Sequence, residues 1–200
     1  MRVTCKKCRR LGVSVCGREK CALKRKPYPP GEHGKSFRRG GSEFGAQLKE
    51  KQKIKFLYGL RERQFKNYVA RAASQHKIPT GEALVLSLES RLDNIVYKLG
   101  FAPTRASGRQ MVNHGHILLN GKRVNIPSHQ VKMKDVVEIR APSRQKGLFA
   151  NLELTIKKYN PPEWLELNKS ELKGIVVSRP GVLELTKSHN INSIVEYYSR

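Results

Sequence analysis

The sequence predicts an α+β protein: a helical N-terminal lobe with a four-cysteine metal knuckle and a basic strap, then a small helix-helix-β-ribbon module with an extended C-terminal region. Three observations predict it. All four cysteines fall within the first 21 residues. Apolar residues recur at helical spacing between residues 46 and 99. Asn120-Gly121 separates two short β-prone runs, which is the strongest short hairpin signal because both turn positions need φ > 0.

The first segment, residues 1–45, opens with the knuckle. Cys5, Cys8, Cys16 and Cys21 follow a C-x2-C, seven-residue, C-x4-C pattern. Four thiolates in two close pairs suit one tetrahedral metal centre, with zinc as the default ion. An iron–sulfur cluster takes the same ligand set, so the metal stays open at this point. Lys6, Lys7, Arg9, Arg10, Arg18 and Lys20 surround the cysteines and favour the thiolate form. Disulfides are disfavoured in a reducing compartment, and the segment has few apolar residues with which to bury four idle cysteines. A strap follows from Lys24 to Gly41, dense in proline, glycine and cations, which disfavours helix and strand ladder alike. A flexible linker is the plain reading. Tyr28 and Phe37, interleaved with cations, favour a nucleic-acid strap whose aromatic rings stack on unpaired bases.

Residues 46–90 predict three helices. Ala46 to Tyr58 carries Lys49, Lys51, Lys53 and Lys55, with Ile54, Leu57 and Tyr58 as its packing side. Arg61 to His76 sets Phe65, Tyr68, Val69 and Ala72 on one face, with Arg63 and Lys66 elsewhere. Thr80 is the expected N-cap of the third, with Glu82 in its first turn. In residues 91–140, Leu92, Ile95, Val96 and Leu99 form one helix face, Gly100 ends it, and Pro103 suits the turn before a second helix. Arg105 and Arg109 stand four apart on that helix, and with Lys122 and Arg123 of the ribbon they are expected on one rigid cationic surface. Residues 141–190 read as a helix over Ser143 to Lys157 and strands over Trp164 to Leu167 and Leu172 to Val177, and Ile191 to Tyr198 reads as a further strand.

Charge carries the same message. Forty Lys and Arg oppose 16 Asp and Glu, for a formal net charge of +24. Residues 1–60 hold 17 of those cations and four acids, and are the most electropositive third. Such an imbalance repels itself unless counter-charge is bound, so a polyanion partner is expected. Lys49, Lys53, Arg63, Lys66 and Arg91 extend the expected nucleic-acid contacts beyond the central module. No stretch is apolar enough to span a bilayer, and MRVTCKKCRR lacks the apolar core of a secretory signal. The expectation is a cytoplasmic protein without a membrane partner and without self-association.

Enzyme signals are weak. There is no Gly-rich phosphate loop, G-x-S-x-G or H-E-x-x-H. His114 and His116, on the turn into the ribbon, could bond phosphate or a base edge, or be surface histidines without a role. Arg91-Leu92-Asp93 matches the triplet around the catalytic aspartate of RNA pseudouridine synthases, but here it lies on an apolar-striped helix with no separate catalytic domain. A helix-surface ion pair between Asp93 and Arg91 or a neighbour is the better reading.

Six motifs then occur in order: KPYPPGEHG (Lys26 to Gly34), LKEKQKIKFLYG (Leu48 to Gly59), ERQFKNY (Glu62 to Tyr68), ESRLDNIVYKLGF (Glu89 to Phe101), HGHILLNGK (His114 to Lys122) and VEYYSR (Val195 to Arg200). The ordered set resembles the family of small-subunit ribosomal protein four, of bacterial type, and Cys5, Cys8, Cys16 and Cys21 place the resemblance in its metal-bearing branch. The resemblance implies a non-enzymatic primary binder of small-subunit ribosomal RNA that nucleates assembly of the subunit body and contacts small-subunit protein five. It also implies that Lys35, Arg38 and Arg39 match the family's messenger-entry position, and that residues 191–200 pack back on the helical lobe. Gly108 stands where the family typically has alanine. The two readings from other classes are a pseudouridine-synthase-type RNA-modifying enzyme and a free zinc-dependent regulator. The first needs a catalytic domain, the second a groove-reading helix and a dimer interface.

Overall fold

The computed structural model describes residues 3–36, 41–145, 147–149, 152–157, 159–181 and 189–199. They belong to two compact units, Met1–Val85 with Val182–Arg200, and Leu86–Gly181. The helices are α1 (Cys5–Leu11), α2 (Ala22–Arg25), α3 (Glu43–Leu57), α4 (Glu62–Ala73), α5 (Thr80–Glu89), α6 (Leu92–Lys98), α7 (Arg105–Asn113), α8 (Ala141–Arg144), α9 (Leu152–Lys157) and α10 (Ile191–Ser199). The strands are β1 (Ile117–Leu119), β2 (Lys122–Arg123), β3 (Val136–Ile139), β4 (Leu165–Asn168) and β5 (Lys173–Val176).

In the first unit α3 starts at Ser42, whose hydroxyl accepts the Gly45 N–H at 3.2 Å. The lysines of α3 do not form one solvated face. Lys51 and Lys55 turn inward, and Glu62 of α4 accepts from Lys51 Nζ at 2.7 Å, Lys55 Nζ at 2.6 Å and the Tyr198 hydroxyl at 2.7 Å. Thr80 is the first helical residue of α5 rather than its cap, since the Ala83 N–H already bonds the Pro79 carbonyl.

Ile191–Ser199 is a helix, not the expected strand. Ile191, Ile194, Val195 and Tyr198 fall at i, i+3, i+4 and i+7, and the Asn190 side chain accepts the Ser193 N–H at 3.2 Å, so the period is helical and the start is capped. This helix lies on α3 and α4. Tyr197 stacks on Phe44 with centroids 5.4 Å apart, and Tyr198 meets Phe65 at 6.0 Å.

In the second unit α6 and α7 pack on each other and share one apolar core with an antiparallel sheet of order β2-β1-β3-β5-β4. The expected ribbon is therefore one edge of a larger sheet. Asn120 and Gly121 have φ of 50° and 76°, as a two-residue hairpin turn requires. The Asn120 side chain donates to Asp135 at 2.8 Å and accepts the Val136 N–H at 2.8 Å, tying the hairpin to β3. Leu92, Ile95, Val96, Leu99, Met111, Ile117 and Val137 are buried in one apolar core with Trp164. Residues 143–157 are not one helix: α8 and α9 are separated by a 3-10 turn over Gly147–Phe149, where glycine disfavours helix.

The structure explains Gly108. It is buried where α7 crosses α6, and a Cβ there would stand 2.8 Å from the Asp93 carbonyl oxygen. Glycine's helix penalty of about 1 kcal/mol is accepted in return for a close helix–helix approach.

Glu62 makes acid stability testable. Partial burial opposes its ionisation, but the bonds from Lys51, Lys55 and Tyr198 outweigh that and hold its pKa at about 2, against 4.5 ordinarily. A depressed carboxylate pKa contributes stability that is complete above the unfolded value and lost as pH falls through the folded one. Melting temperatures of the wild type and Glu62→Gln should differ most above about pH 5 and converge toward pH 2. A gap constant with pH would show that the carboxylate's charge contributes nothing.

Candidate nucleic-acid interface and metal knuckle

The knuckle is built by α1, a turn at Gly12 and α2. Gly12 has φ of 73° and its N–H caps the Cys8 carbonyl, reversing the chain after α1. The ligand atoms of Cys5, Cys16 and Cys21 all lie within 4.8 Å of one another. Cys8 is fully buried and packs in the same cluster as these three. Four sulfurs about 2.3 Å from one tetrahedral ion stand about 3.8 Å apart, so this donor set fits a metal ion. The two buried thiols differ. Burial pushes the Cys8 pKa up to about 12. Burial also opposes ionisation of Cys21, but bonds from the Leu23 backbone, Ser14, Cys16 and Cys8 bring its pKa down to about 7. Val15 is buried with them, and Phe56 of α3 packs against the cluster. Lys7 Nζ stands 4.2 Å above the Phe56 ring, with Lys55 Nζ 4.9 Å from the same ring.

The strap is partly described. Lys35 is exposed, while Phe37, Arg38 and Arg39 lie outside the described residues. The Tyr28 ring is not a bare stacking platform: the Arg9 guanidinium is 4.8 Å and Lys35 Nζ 5.3 Å from its centroid. Lys49, Arg63 and Lys66 are exposed, whereas Lys53 pairs with Glu50 at 2.6 Å.

In the central unit the expected cationic surface divides. Arg105 and Arg109 do share a face of α7, but that face turns onto α6. Arg109 pairs with Asp93 through Nε at 2.8 Å and Nη2 at 2.6 Å. Arg105 Nε donates to the Asn94 side chain at 2.8 Å, and its guanidinium lies 4.7 Å from the Tyr97 centroid. Both keep partial exposure. Arg91 is a correction: it is 3% exposed and grips both oxygens of Asp93, at 3.0 and 2.8 Å, so it faces the interior and not a ligand. The ion pair foreseen on the helix surface is buried. His116 is a second correction. It is buried, with Nδ1 2.9 Å from the Ser143 hydroxyl, while His114 is exposed. Lys122 and Arg123 are exposed, but adjacent strand residues point to opposite faces, so they cannot act as one patch. Arg123 turns back to the His114 carbonyl at 3.3 Å, over Gly115, where a Cβ would collide with its guanidinium.

A fold with this charge and this module has known relatives. Residues 2–89 match the model of the ribosomal protein S4/S9 N-terminal domain, and residues 90–137 that of the S4 domain. Small ribosomal subunit protein uS4 of Syntrophomonas wolfei is 43% identical over 202 residues, covering 98% of this chain and 96% of its own. The uS4 proteins of Chloroflexus aurantiacus and Geotalea daltonii are 47% and 46% identical, covering 96% and 98% of this chain and 94% and 97% of their own. The chain belongs to the uS4 family.

Within this uS4-family chain, exposed cations at Lys132, Lys134 and Arg140 surround β3 and were not singled out from sequence. Their signal was only the general basicity of the module. Lys134 has φ of 69°, and the Lys132 N–H bonds the Asp135 carboxylate at 2.7 Å, so both sit on a constrained turn.

Asp93, 2% exposed, is saturated by two guanidinium groups and has no geometry for nucleophilic attack. Removing it takes the bonds at 3.0 and 2.8 Å from the Arg91 guanidinium, which is itself buried. Asp93→Ala should therefore cost about 3–5 kcal/mol of unfolding free energy by denaturant titration, the range for breaking a buried pair from one side. A loss within about 1 kcal/mol would mean that both guanidinium groups regain water, as exposed pairs do.

Proposed function

We propose that this chain is a structural, non-enzymatic constituent of the small ribosomal subunit in the cytoplasm, binding small-subunit ribosomal RNA as a primary protein and nucleating assembly of the subunit body. The observation that carries this is similarity to uS4 proteins across nearly the whole chain. The net charge of +24 and the exposed Lys49, Arg63, Lys66, His114, Lys122 and Arg123 support it, with Arg105, Arg109 and Lys53 contributing through their partly open edges. Residues 91–140 are the principal RNA-binding segment, residues 46–90 with the terminal helix form a second basic lobe, residues 141–190 complete the central lobe, and residues 1–45 carry the knuckle and strap. The finer partners are messenger RNA, met at the entry path by Lys35, Arg38 and Arg39, and small-subunit protein five. The metal is zinc: four cysteine sulfurs in a short arm make a closed structural site.

Phosphate-dominated binding predicts a steep salt dependence. Affinity of the full chain for structured small-subunit ribosomal RNA should fall by orders of magnitude between about 50 and 200 mM salt, and Lys122→Ala with Arg123→Ala should reduce the slope by about two contacts. A flat plot of log affinity against log salt contradicts the proposal. For the knuckle, purified protein should hold one zinc per chain, and Cys16→Ser should lose it. Full occupancy in that variant removes the four-ligand site, and visible absorbance of an anaerobic preparation assigns an iron–sulfur cluster instead.

A further inference from the structure

Arg9 leaves α1 one residue after Cys8 and reaches the strap. Its Nε donates to the Tyr28 carbonyl at 2.9 Å and its Nη2 to the Pro29 carbonyl at 3.2 Å, while its plane covers the Tyr28 ring. Among the strap's described residues, little else holds it. Pro27, Pro29 and Pro30 have no N–H to donate. Its own backbone bonds are local turns, Gly34 N–H to the Gly31 carbonyl and Ser36 N–H to the His33 carbonyl, both 3.2 Å. Gly34 is pressed onto the Pro29 carbonyl so closely that a Cβ would collide with it, and Lys35 follows directly, its Nζ against Tyr28. Lys35 is thus placed by residues 28 and 29, and these are placed by Arg9. The helix that carries Arg9 has seven residues and buries only Cys8, too little to stand by itself. Its position depends on the cysteine group and on the small apolar cluster packed around it, Val15, Leu11, Leu23 and Phe56, with Lys7 over the Phe56 ring.

We infer that Arg9 is a positioning residue through which the metal knuckle fixes the strap, so that metal occupancy sets where Lys35 stands. This rests on the metal-bearing knuckle proposed above, and its consequence for translation rests on the strap facing messenger RNA. With metal bound, α1 is rigid and the guanidinium fork holds two adjacent carbonyls. Without it, α1 frays, the fork opens, and the local turns that end at Gly34 and Ser36 lose the support of residues 28 and 29 and open more often. A lysine cannot replace the fork, because an ammonium is a point donor without the planar pair of N–H groups. Coupling of this kind is reciprocal: losing the fork should also weaken metal retention.

The test uses the full chain, either at saturating zinc or treated with chelator, and reads amide exchange at Gly34 and Ser36 by NMR. Chelation should speed exchange in the wild type by about fivefold or more, the factor that one net hydrogen bond contributes. Zinc-loaded Arg9→Ala should show the same acceleration with one zinc still bound, chelation should add little to it, and Arg9→Lys should behave like Arg9→Ala. Equal acceleration by chelation in wild type and variant, or a zinc-loaded variant as protected as wild type, overturns the inference. A separate reading uses small subunits carrying Arg9→Ala on messages with and without a stable hairpin. Selective slowing on the hairpin supports the full chain of effects. Normal exchange coupling with no hairpin effect upholds the link through Arg9 and removes the messenger-facing reading of the strap.

Discussion

The Asp93 carboxylate lies between two guanidinium groups, and the architecture of the central unit converges on it. Arg91 precedes α6 in extended conformation, Arg109 reaches across from α7, and the Arg91 backbone bridges to Gln130. The first N–H groups of α6 at Leu92 and Asp93 bond the carbonyls of His129 and Pro127, so a helix start that would otherwise leave donors unsatisfied is closed by a loop. One buried acid thereby registers two helices and a distant loop. A chain with 16 acids among 40 cations cannot do this often. In the other unit Glu62 performs the equivalent task for Lys51 and Lys55, with Tyr198 recruiting the terminal helix to the same carboxylate.

This arrangement sorts the cations by role. Among the described residues, some cations have a carboxylate partner, and of these Arg109, Lys51 and Lys55 tie one helix to another while Arg91 closes the start of α6. Exposed ones such as Lys49, Arg63, Lys66, Lys122 and Arg123 add to self-repulsion that only an external polyanion relieves. Arg105 and Arg109 stand between the two groups, structurally committed on one side and open on the other. Any ligand contact that these two side chains make is for that reason not separable from the folding of the central unit.

Local signals were legible in the sequence. The stripe from Leu92 to Leu99, the stop at Gly100 with φ of 79°, the Asn120-Gly121 turn and the clustering of the cysteines each follow from neighbours along the chain. What was not legible depends on partners far apart in sequence. The sheet needs β3 beside β5, nearly forty residues on, to make its five strands. That Arg91 and His116 turn inward is decided by Asp93 and Ser143, which no spacing rule identifies. The terminal segment reads as a strand although a helical period is present in Ile191, Ile194, Val195 and Tyr198, because its β-branched and aromatic residues carry a strand signal.

The hairpin turn has a chemical side as well. An asparagine followed by glycine is the sequence most prone to lose its side-chain amide, because the unhindered glycine nitrogen can close on the amide carbon. In this turn both ends of the Asn120 amide are engaged, one by the Asp135 carboxylate and the other by the Val136 N–H. Such engagement restrains the side-chain rotation that the cyclisation requires. Conversion to aspartate would replace the donor facing Asp135 with a second negative charge and part β1 from β3 at their turn. The two bonds that set the ribbon's register therefore also govern how this surface ages over the lifetime of the particle that carries it.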